Sequence, residues 1–334
     1  MSTPPPSTNV QAADSLTADS TAGQRRSPAA RQGSAMRIGL VMLVKDEVNR
    51  VEQALAPLLD QIERVIVFDT GSTDGTQDLL RERLHLEPLA GSLDPHRCGS
   101  HALLRNRGLA MLDTPWCMTL DADERVAPDS LRALRRSRIA DGSGGIFLQW
   151  RNHLEDGTVF DDYKCVLFRR GLRKVGLIHD NVQPALRRAG LVGDWSDAAV
   201  LEHYPEARKN TWKRRIYHER LLCAMRREPD NPRYPWFAGY AALRNGDADK
   251  ARGWLRLAAD SGHPLYPVER LNARIILLAE AAARGDASAA RRELALATAR
   301  YRELADDFEI RINTWLGPWL VSAAEHLANG RLEA

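Results

Sequence analysis

Cysteine is scarce in this chain: Cys98, Cys117, Cys165 and Cys223 are the only four in 334 residues, far apart and with no CxxC pair. That spacing argues against a structural zinc site and against a disulfide framework, and it points to a reducing cytoplasm. An excess of one charge is also missing, because 47 basic residues against 44 acidic ones leave a net charge of +3. Composition therefore gives no ground for nucleic-acid binding. No stretch approaches the ~18 uninterrupted apolar residues of a membrane span, and no apolar h-region of a secretory signal stands near the N-terminus. No transmembrane segment is expected, and the location expected is cytoplasmic, at most peripheral at the inner membrane. Residues 1–35 almost lack large apolar side chains and are rich in Pro, Ser, Thr and Ala. Such a segment cannot offset the entropy of ordering, so a disordered tail is predicted. Met36 directly precedes the first apolar run and is an alternative start for the chain.

What is present suffices for one or two globular domains, since 44% of the residues are hydrophobic. From Arg37 onward strand and helix signals alternate. RIGLVMLV is a continuous apolar run of the kind buried on both faces, EVNRVEQALAPLLDQI has helical spacing, and RVIVFD returns to strand. QDLLRERL and HALLRNRGLAML read as further helices, the first capped by Ser72 or Thr73. After Pro205 the strands vanish and Ala-, Leu- and Arg-rich helices follow. Pro229 to Gly262 carries Gly239, Gly246, Ala251, Leu255 and Ala258 at offsets near those of a tetratricopeptide repeat (TPR), and NGDADKA at 245–251 is echoed by RGDASAA at 284–290. The expected fold is an α/β mixed sheet with helices on both faces over 36–205, followed by an all-α TPR-like domain over 206–334.

The stretch WCMTLDADERV, residues 116–126, raises a question of charge. Trp116, Met118 and Leu120 read as a strand running into a core, yet Asp121, Asp123 and Glu124 crowd at its end. In an extended chain Asp121 and Asp123 would share a side about 7 Å apart, and two like charges that close call for a cation. The cluster falls past the carboxyl end of a strand in an open α/β sheet, where such folds bind ligands. Mg²⁺ and Mn²⁺ favour one or two carboxylates plus substrate phosphates, which a DxD offers.

Four stretches in order, LVKDEVNRVEQAL, VIVFDTGSTDGT, LLRNRGLA with WCMTLDADE, and CVLFRRGLRKVGLIHDNV, resemble the successive motifs of family 2 glycosyltransferases with the GT-A fold. The likeness is to the bacterial branch with lipopolysaccharide-core glucosyltransferases and peptide S-glycosyltransferases, and it covers about Arg37 to Pro205. The resemblance implies an inverting hexosyltransferase that uses a nucleotide-sugar donor, UDP-linked, with Mn²⁺ or Mg²⁺. It implies Asp123 and His179 as metal ligands, Asp121 on the ribose or a metal-bound water, and Asp69, Glu47, Arg105 and Asn106 about the nucleotide. Asp180 falls where the related branch has Glu and is the implied base, with Glu124 as its rival. Arg169 or Arg170 would steady the leaving diphosphate.

Local chemistry qualifies several of these. Asp69 can accept hydrogen bonds from a base or ribose, whereas Asp74 can equally cap its own turn, with Gly71 and Gly75 supplying positive φ. Glu155, Asp156, Asp161 and Asp162 lie in a stretch between Gly142 and Cys165 expected to form an acceptor loop. His203 and Tyr204 resemble a pair that precedes the helical tail in related chains, and Lys213, Arg214 and Arg215 form a basic cluster. The acceptor is a glycan, lipid-linked glycan or peptide, unspecified by any motif. A non-catalytic scaffold that binds a protein partner through the TPR-like helices is the alternative from another class. A nucleotidyltransferase would need a Gly-rich phosphate loop, which LVKDEVNR lacks.

Overall fold

The computed structural model describes residues 36–93, 98–137, 139–154, 156–205 and 210–330; the tail expected over 1–35 and the side chains of the 213–215 cluster lie outside the described residues. The first part runs β1 (Ile38–Val44), α1 (Val51–Leu55), β2 (Arg64–Asp69), α2 (Thr76–Glu82), β3 (Leu89–Ala90), α3 (Ala102–Met111) and β4 (Trp116–Thr119). It continues through β5 (Glu124–Val126), α4 (Pro128–Arg136), β6 (Ser143–His153), β7 (Val159–Arg169), α5 (Gln183–Arg188) and β8 (Val192–His203). One eight-stranded sheet results, in the order β3-β2-β1-β4-β7-β6-β8-β5. β1 to β4 are parallel to one another, while β7 runs antiparallel to both β4 and β6.

The continuous apolar runs reflect burial on both faces. Ile38, Leu40, Met42 and Val44 of β1 point into a core shared with Leu55, Leu80, Leu131 and Leu134 of α1, α2 and α4, whereas Val41 points the other way, toward Leu104, Leu109, Leu186 and Phe308. The mixed sheet with helices on both faces is thus as expected. Gly108 lets α3 press on the sheet, since a Cβ there would lie 2.7 Å from Val41 Cγ1. Three local expectations fail. The DxD does not continue the strand: β4 stops at Thr119, Ala122 and Asp123 form a turn, and the Glu124 amide donates to the Asp121 carbonyl at 3.0 Å. The expected acceptor loop is a β-hairpin of β6 and β7, buried along its apolar half, Ile146 to Leu148 and Cys165 to Phe168, and more open along its polar half. Neither Ser72 nor Thr73 caps α2, whose N-cap is Gly75 at φ 92°.

The second part is helical: α6 (Asn210–Arg227), α7 (Arg233–Arg244), α8 (Ala248–Asp260), α9 (Pro267–Ala283), α10 (Ala287–Glu303), α11 (Phe308–Ile312) and α12 (Leu316–Ala328). The two echoed segments make the same turn. Gly246 and Gly285 take φ of 78° and 72°, and then Asp247 and Asp286 cap α8 and α10 through the amides of Lys250 and Ala289. α7 and α8 pack closely because Gly239 faces Leu255, leaving 2.7 Å between Leu255 Cγ and any added Cβ. Among the described residues no helix is long and apolar enough to cross a membrane.

The cysteines correct the sequence-based expectation. Cys98, just before α3, and Cys223 of α6 form a disulfide across 125 residues, with their Cα atoms 5.9 Å apart. Wide spacing excludes only local motifs, and folding brings distant cysteines together. With that bond the support that cysteine usage lent to a reducing compartment is lost. Cys117 and Cys165 are free and buried in the second core. Closing so long a loop restricts the unfolded chain, so reduction of the wild type should cost about 2–4 kcal/mol of stability. A guanidinium titration with and without dithiothreitol measures it, and Cys223→Ser should be insensitive to the reductant.

Candidate functional site

The carboxyl ends of β1, β2 and β4 lie side by side, with Val44 paired to Asp69 in register. Two loops interlock above them. Asp46 N–H donates to Ser72 Oγ (2.9 Å), Glu47 N–H to Thr76 Oγ1 (2.8 Å) and Val48 N–H to Asp74 Oδ2 (3.1 Å). Asp74 also accepts from the Thr76 amide at 3.0 Å, so its role is the local turn. The Glu47 carboxylate pairs with Arg50. Asp69 is buried; its Oδ1 accepts from the amides of Gly71 (2.8 Å) and Ser72 (2.9 Å) and from Gln77 (3.1 Å), while its Oδ2 is buried without a partner. Burial alone would raise its pKa, and the hydrogen bonds from Ser72, Gly71 and Gln77 more than reverse that.

At the end of β4 the compensating cations are side chains of this chain. Arg105 on α3 holds Asp121 Oδ1 with Nη2 and Asp180 Oδ1 with Nη1, both at 2.6 Å. Lys164 on β7 holds Asp121 Oδ2 at 3.1 Å and Glu124 Oε1 at 2.5 Å. Burial pushes the pKa of Asp121 up, but Lys164 and Arg105 outweigh it and hold this carboxyl well below its usual range. Asp180 behaves likewise under Arg105 and Lys174. Glu124 does not: it is 1% exposed, burial dominates, and its pKa is raised. Its second oxygen takes the Asp121 amide at 3.0 Å. With both oxygens engaged and no exposure, Glu124 is part of the scaffold and is poorly placed to act as a base.

Asp123 meets a different partner. β5 pairs with β8 so that Glu124 stands opposite His203, and the His203 Nε2 lies 3.7 Å from Asp123 Oδ2. The tautomer follows from Asn152. Its Nδ2 donates to the carbonyls of Trp150 (3.1 Å) and Phe160 (3.5 Å), so its Oδ1, 2.7 Å from His203 Nδ1, must accept from that nitrogen. A neutral His203 therefore turns the Nε2 lone pair toward the Asp123 carboxylate. Two acceptors face each other, and only a proton or a bound cation between them satisfies both. An imidazole beside a carboxylate, with the far ring nitrogen fixed by a hydrogen bond, fits a divalent cation whose other ligands are phosphate oxygens. Trp150 stacks on the His203 ring at 4.8 Å and lies 5.5 Å below Lys164 Nζ.

Several expected residues stand elsewhere. His179 does not approach Asp123 as a second ligand: its Nε2 contacts the Tyr217 hydroxyl at 2.5 Å and its ring stacks on Phe237 at 3.9 Å. Contact with this wall lowers the pKa of the ring and the charge of Arg233 adds to that, although the residue as a whole keeps exposed surface. Asn106 clasps the backbone of Lys174 with both ends of its amide, at 2.9 and 2.8 Å, and so is not available to a nucleotide. Arg169 pairs in register with Trp116, at the opposite end of β4 from the DxD, and Arg170 donates to the Asp113 carbonyl, so neither can steady a leaving group at Asp123. Asp161 pairs with Arg151 at 3.1 Å, Asp156 caps its own turn, and Glu155 lies outside the described residues. No group of three or more His, Cys, Asp or Glu forms a metal cage among the described residues. Lys164 and Asn152 carry no motif and escaped the sequence reading, although a lysine inside the strand YKCVLF was a visible irregularity.

Comparison with known proteins bears out the resemblance read from the motifs. The family model of glycosyl transferase family 2 matches residues 40–184. A TPR repeat-containing protein of Synechococcus elongatus is 26% identical over 245 residues, which are 70% of this chain and 59% of that protein, so the chain spans under two thirds of the relative's length. Among solved structures, glucosyl-3-phosphoglycerate synthase from Mycobacterium tuberculosis with Mg²⁺ and UDP gives a TM-score of 0.37 at 14% identity, covering 57% of this chain and 79% of that one. The S. aureus TarS fragment 1–349 gives 0.40 at 12% identity, covering 89% of each chain. Overlaps this weak carry neither ligand nor activity across.

The ion network makes a quantitative demand on Lys164. Removing it by Lys164→Ala leaves Glu124 buried and uncompensated, which should lower stability by about 3–5 kcal/mol in a urea titration. Lys164→Met combined with Glu124→Gln should recover most of that loss.

Proposed function

Proceeding from a chain whose residues 40–184 match glycosyl transferase family 2, we propose that it is a hexosyltransferase that moves a sugar from a UDP-linked donor to a hydroxyl or thiol acceptor with inversion. Residues 36–205 form the transferase domain in this proposal, and 206–334 the helical domain. The observation that carries it is the facing pair Asp123 and His203, 3.7 Å apart at the ligand-binding edge of the sheet, where a bound cation as well as a proton would satisfy both. Asp123 and His203 would hold Mn²⁺ or Mg²⁺, with His203 in the role that the motifs implied for His179. When bound, the ion offsets the negative charge that grows on the departing diphosphate.

The chain's own groups do the rest. Asp69 Oδ2, buried and unpartnered, accepts a ring N–H of the nucleotide base. Arg105 and Lys164 fix Asp121 beside Asp123 and add positive charge near the diphosphate. Asp180 takes the acceptor proton: Arg105 keeps it ionised and occupies Oδ1, leaving Oδ2 without a partner. The acceptor oxygen or sulfur then bonds to the anomeric carbon as the bond from that carbon to the diphosphate breaks. A single displacement of this kind inverts the anomeric centre. A cytoplasmic location belongs to the same proposal; a protein kept in a reducing compartment would retain Cys98 and Cys223 as thiols in cells, which alkylation mapping reads directly.

A panel of nucleotide sugars, scored by thermal shift with and without Mn²⁺ and then by turnover, tests the function, because a ligand that binds only the folded state raises its melting temperature. Asp123→Ala and His203→Ala should abolish turnover while leaving the fold intact, and Asn152→Ala should weaken Mn²⁺ binding by about 10- to 100-fold. Full turnover in EDTA would overturn the metal assignment.

A further inference from the structure

The loop that carries Asp180 is built by the helical part of the molecule. Val175 and Asn181 close it through two backbone hydrogen bonds, of 2.8 and 3.0 Å. Inside it Gly176 takes φ 114° and His179 takes φ 50°, a left-handed conformation that a residue with a Cβ adopts only when its surroundings impose it. Those surroundings come from α6 and α7. Leu177 N–H donates to the Tyr234 hydroxyl at 3.0 Å, and Arg233 Nη2 donates to the His179 carbonyl at 2.8 Å. Tyr217 of α6 meets the His179 ring nitrogen at 2.5 Å, and Phe237 of α7 covers the ring face at 3.9 Å. Arg233 is itself fixed by Glu269 of α9 at 2.9 Å and is 8% exposed. On the side facing the sheet, Asp180 pairs with Arg105 at 2.6 Å at the tip of the loop, and Ser100 Oγ donates to the Gly176 carbonyl at 3.3 Å.

We infer that His179 is a positioning residue, gripped by Tyr217 and Arg233 of the helical domain, and that this grip sets Asp180 against Arg105 in the geometry that proton transfer requires. The helical domain is then a working part of the transfer site as well as an appended module. The inference rests on the proposed role of Asp180 as base. Chemistry supports the assignment over a ligand role. With its ring face covered by Phe237 and Nε2 engaged by a phenol, His179 presents an oriented, neutral ring to its neighbours. Asp180 is adjacent in the chain, so a change of φ at His179 swings its carboxylate directly. Displacement of a reacting group by about 1 Å can cost ~10²-fold in rate, so the effect of losing the grip is readable.

Tyr217→Phe is the probe, since it removes one O–H and keeps the ring. With the donor that the panel of UDP-glucose, UDP-galactose, UDP-N-acetylglucosamine and GDP-mannose identifies, kcat should fall about 10- to 100-fold while donor KM and Mn²⁺ affinity stay within about twofold. In the same variant, amide hydrogen exchange of residues 177–181 should accelerate about tenfold or more as the loop opens. His179→Asn should retain more activity than His179→Ala, because asparagine tolerates the left-handed backbone. Unchanged exchange in Tyr217→Phe would overturn the inference, and so would an Mn²⁺ affinity reduced about 10-fold, which would return His179 to the metal. If the wild type turns over no donor of the panel, the transferase proposal fails by itself, and the exchange measurement still decides whether the helices hold the loop.

Discussion

The fork of Arg105 between Asp121 and Asp180 is the constraint on which the rest of the site depends. One guanidinium joins three pieces of chain that are far apart in sequence: α3, the turn after β4, and the 175–181 loop. Its two bonds of 2.6 Å form where every participant is partly or wholly withdrawn from water, so each carboxylate needs the cation and the cation needs both. Lys164 extends the network to Glu124 on the other side. With the anions satisfied internally, Asp121 is fixed in direction, and Asp123, two residues on, is aimed at His203. The alternation of charge is local: acid at 121, 123, 124 and 180, base at 105 and 164.

That arrangement answers the question of why acidic residues gather behind an apolar run. A cation is indeed required, and the chain supplies most of it. Asp121 and Glu124 are neutralised by side chains, which leaves Asp123 as the carboxylate whose partner is an imidazole with its lone pair facing inward. The members of the cluster thus differ in what neutralises them. Asp121 and Glu124 are held by Arg105 and Lys164, whereas Asp123 faces His203 at 3.7 Å.

Much of the fold was legible in the sequence because its signals are local. The runs IGLVMLV and RVIVFD are β1 and β2, and the repeated Gly-Asp turns at 246–247 and 285–286 mark equivalent helix starts. The positions of Asp69 and the DxD at one sheet edge followed from strand order alone. What failed was governed by long-range pairing. Cys98 finds Cys223 across the boundary between sheet and helices, Lys164 arrives from a hairpin whose run of polar residues reads as a loop, and His203 is brought to Asp123 by a strand pairing with no sequence signature. The DxD was misjudged for a different reason, since apolar alternation through Leu120 says nothing about a turn at Ala122.

His179 illustrates how a histidine in the expected place can meet an unexpected partner. The motif put a histidine next to Asp180, and the structure keeps it there, but the nitrogen that would have faced a metal faces a tyrosine of the helical part instead. A ligand and a positioning residue share the requirement of a fixed, neutral imidazole, so composition and spacing cannot separate them; only the identity of the partner atom does. The same logic applied to His203 gives the opposite answer, because its fixed nitrogen is Nδ1, held by Asn152, and the open one looks at a carboxylate. Two histidines are thus oriented by opposite ends of the molecule, one by the helices and one by the sheet, and the carboxylates they serve, Asp180 and Asp123, lie on the two sides of the Arg105 network. Under the proposed transfer mechanism both halves of the chain must be folded together, so that the contact between sheet and helices would be a condition of activity as well as of stability.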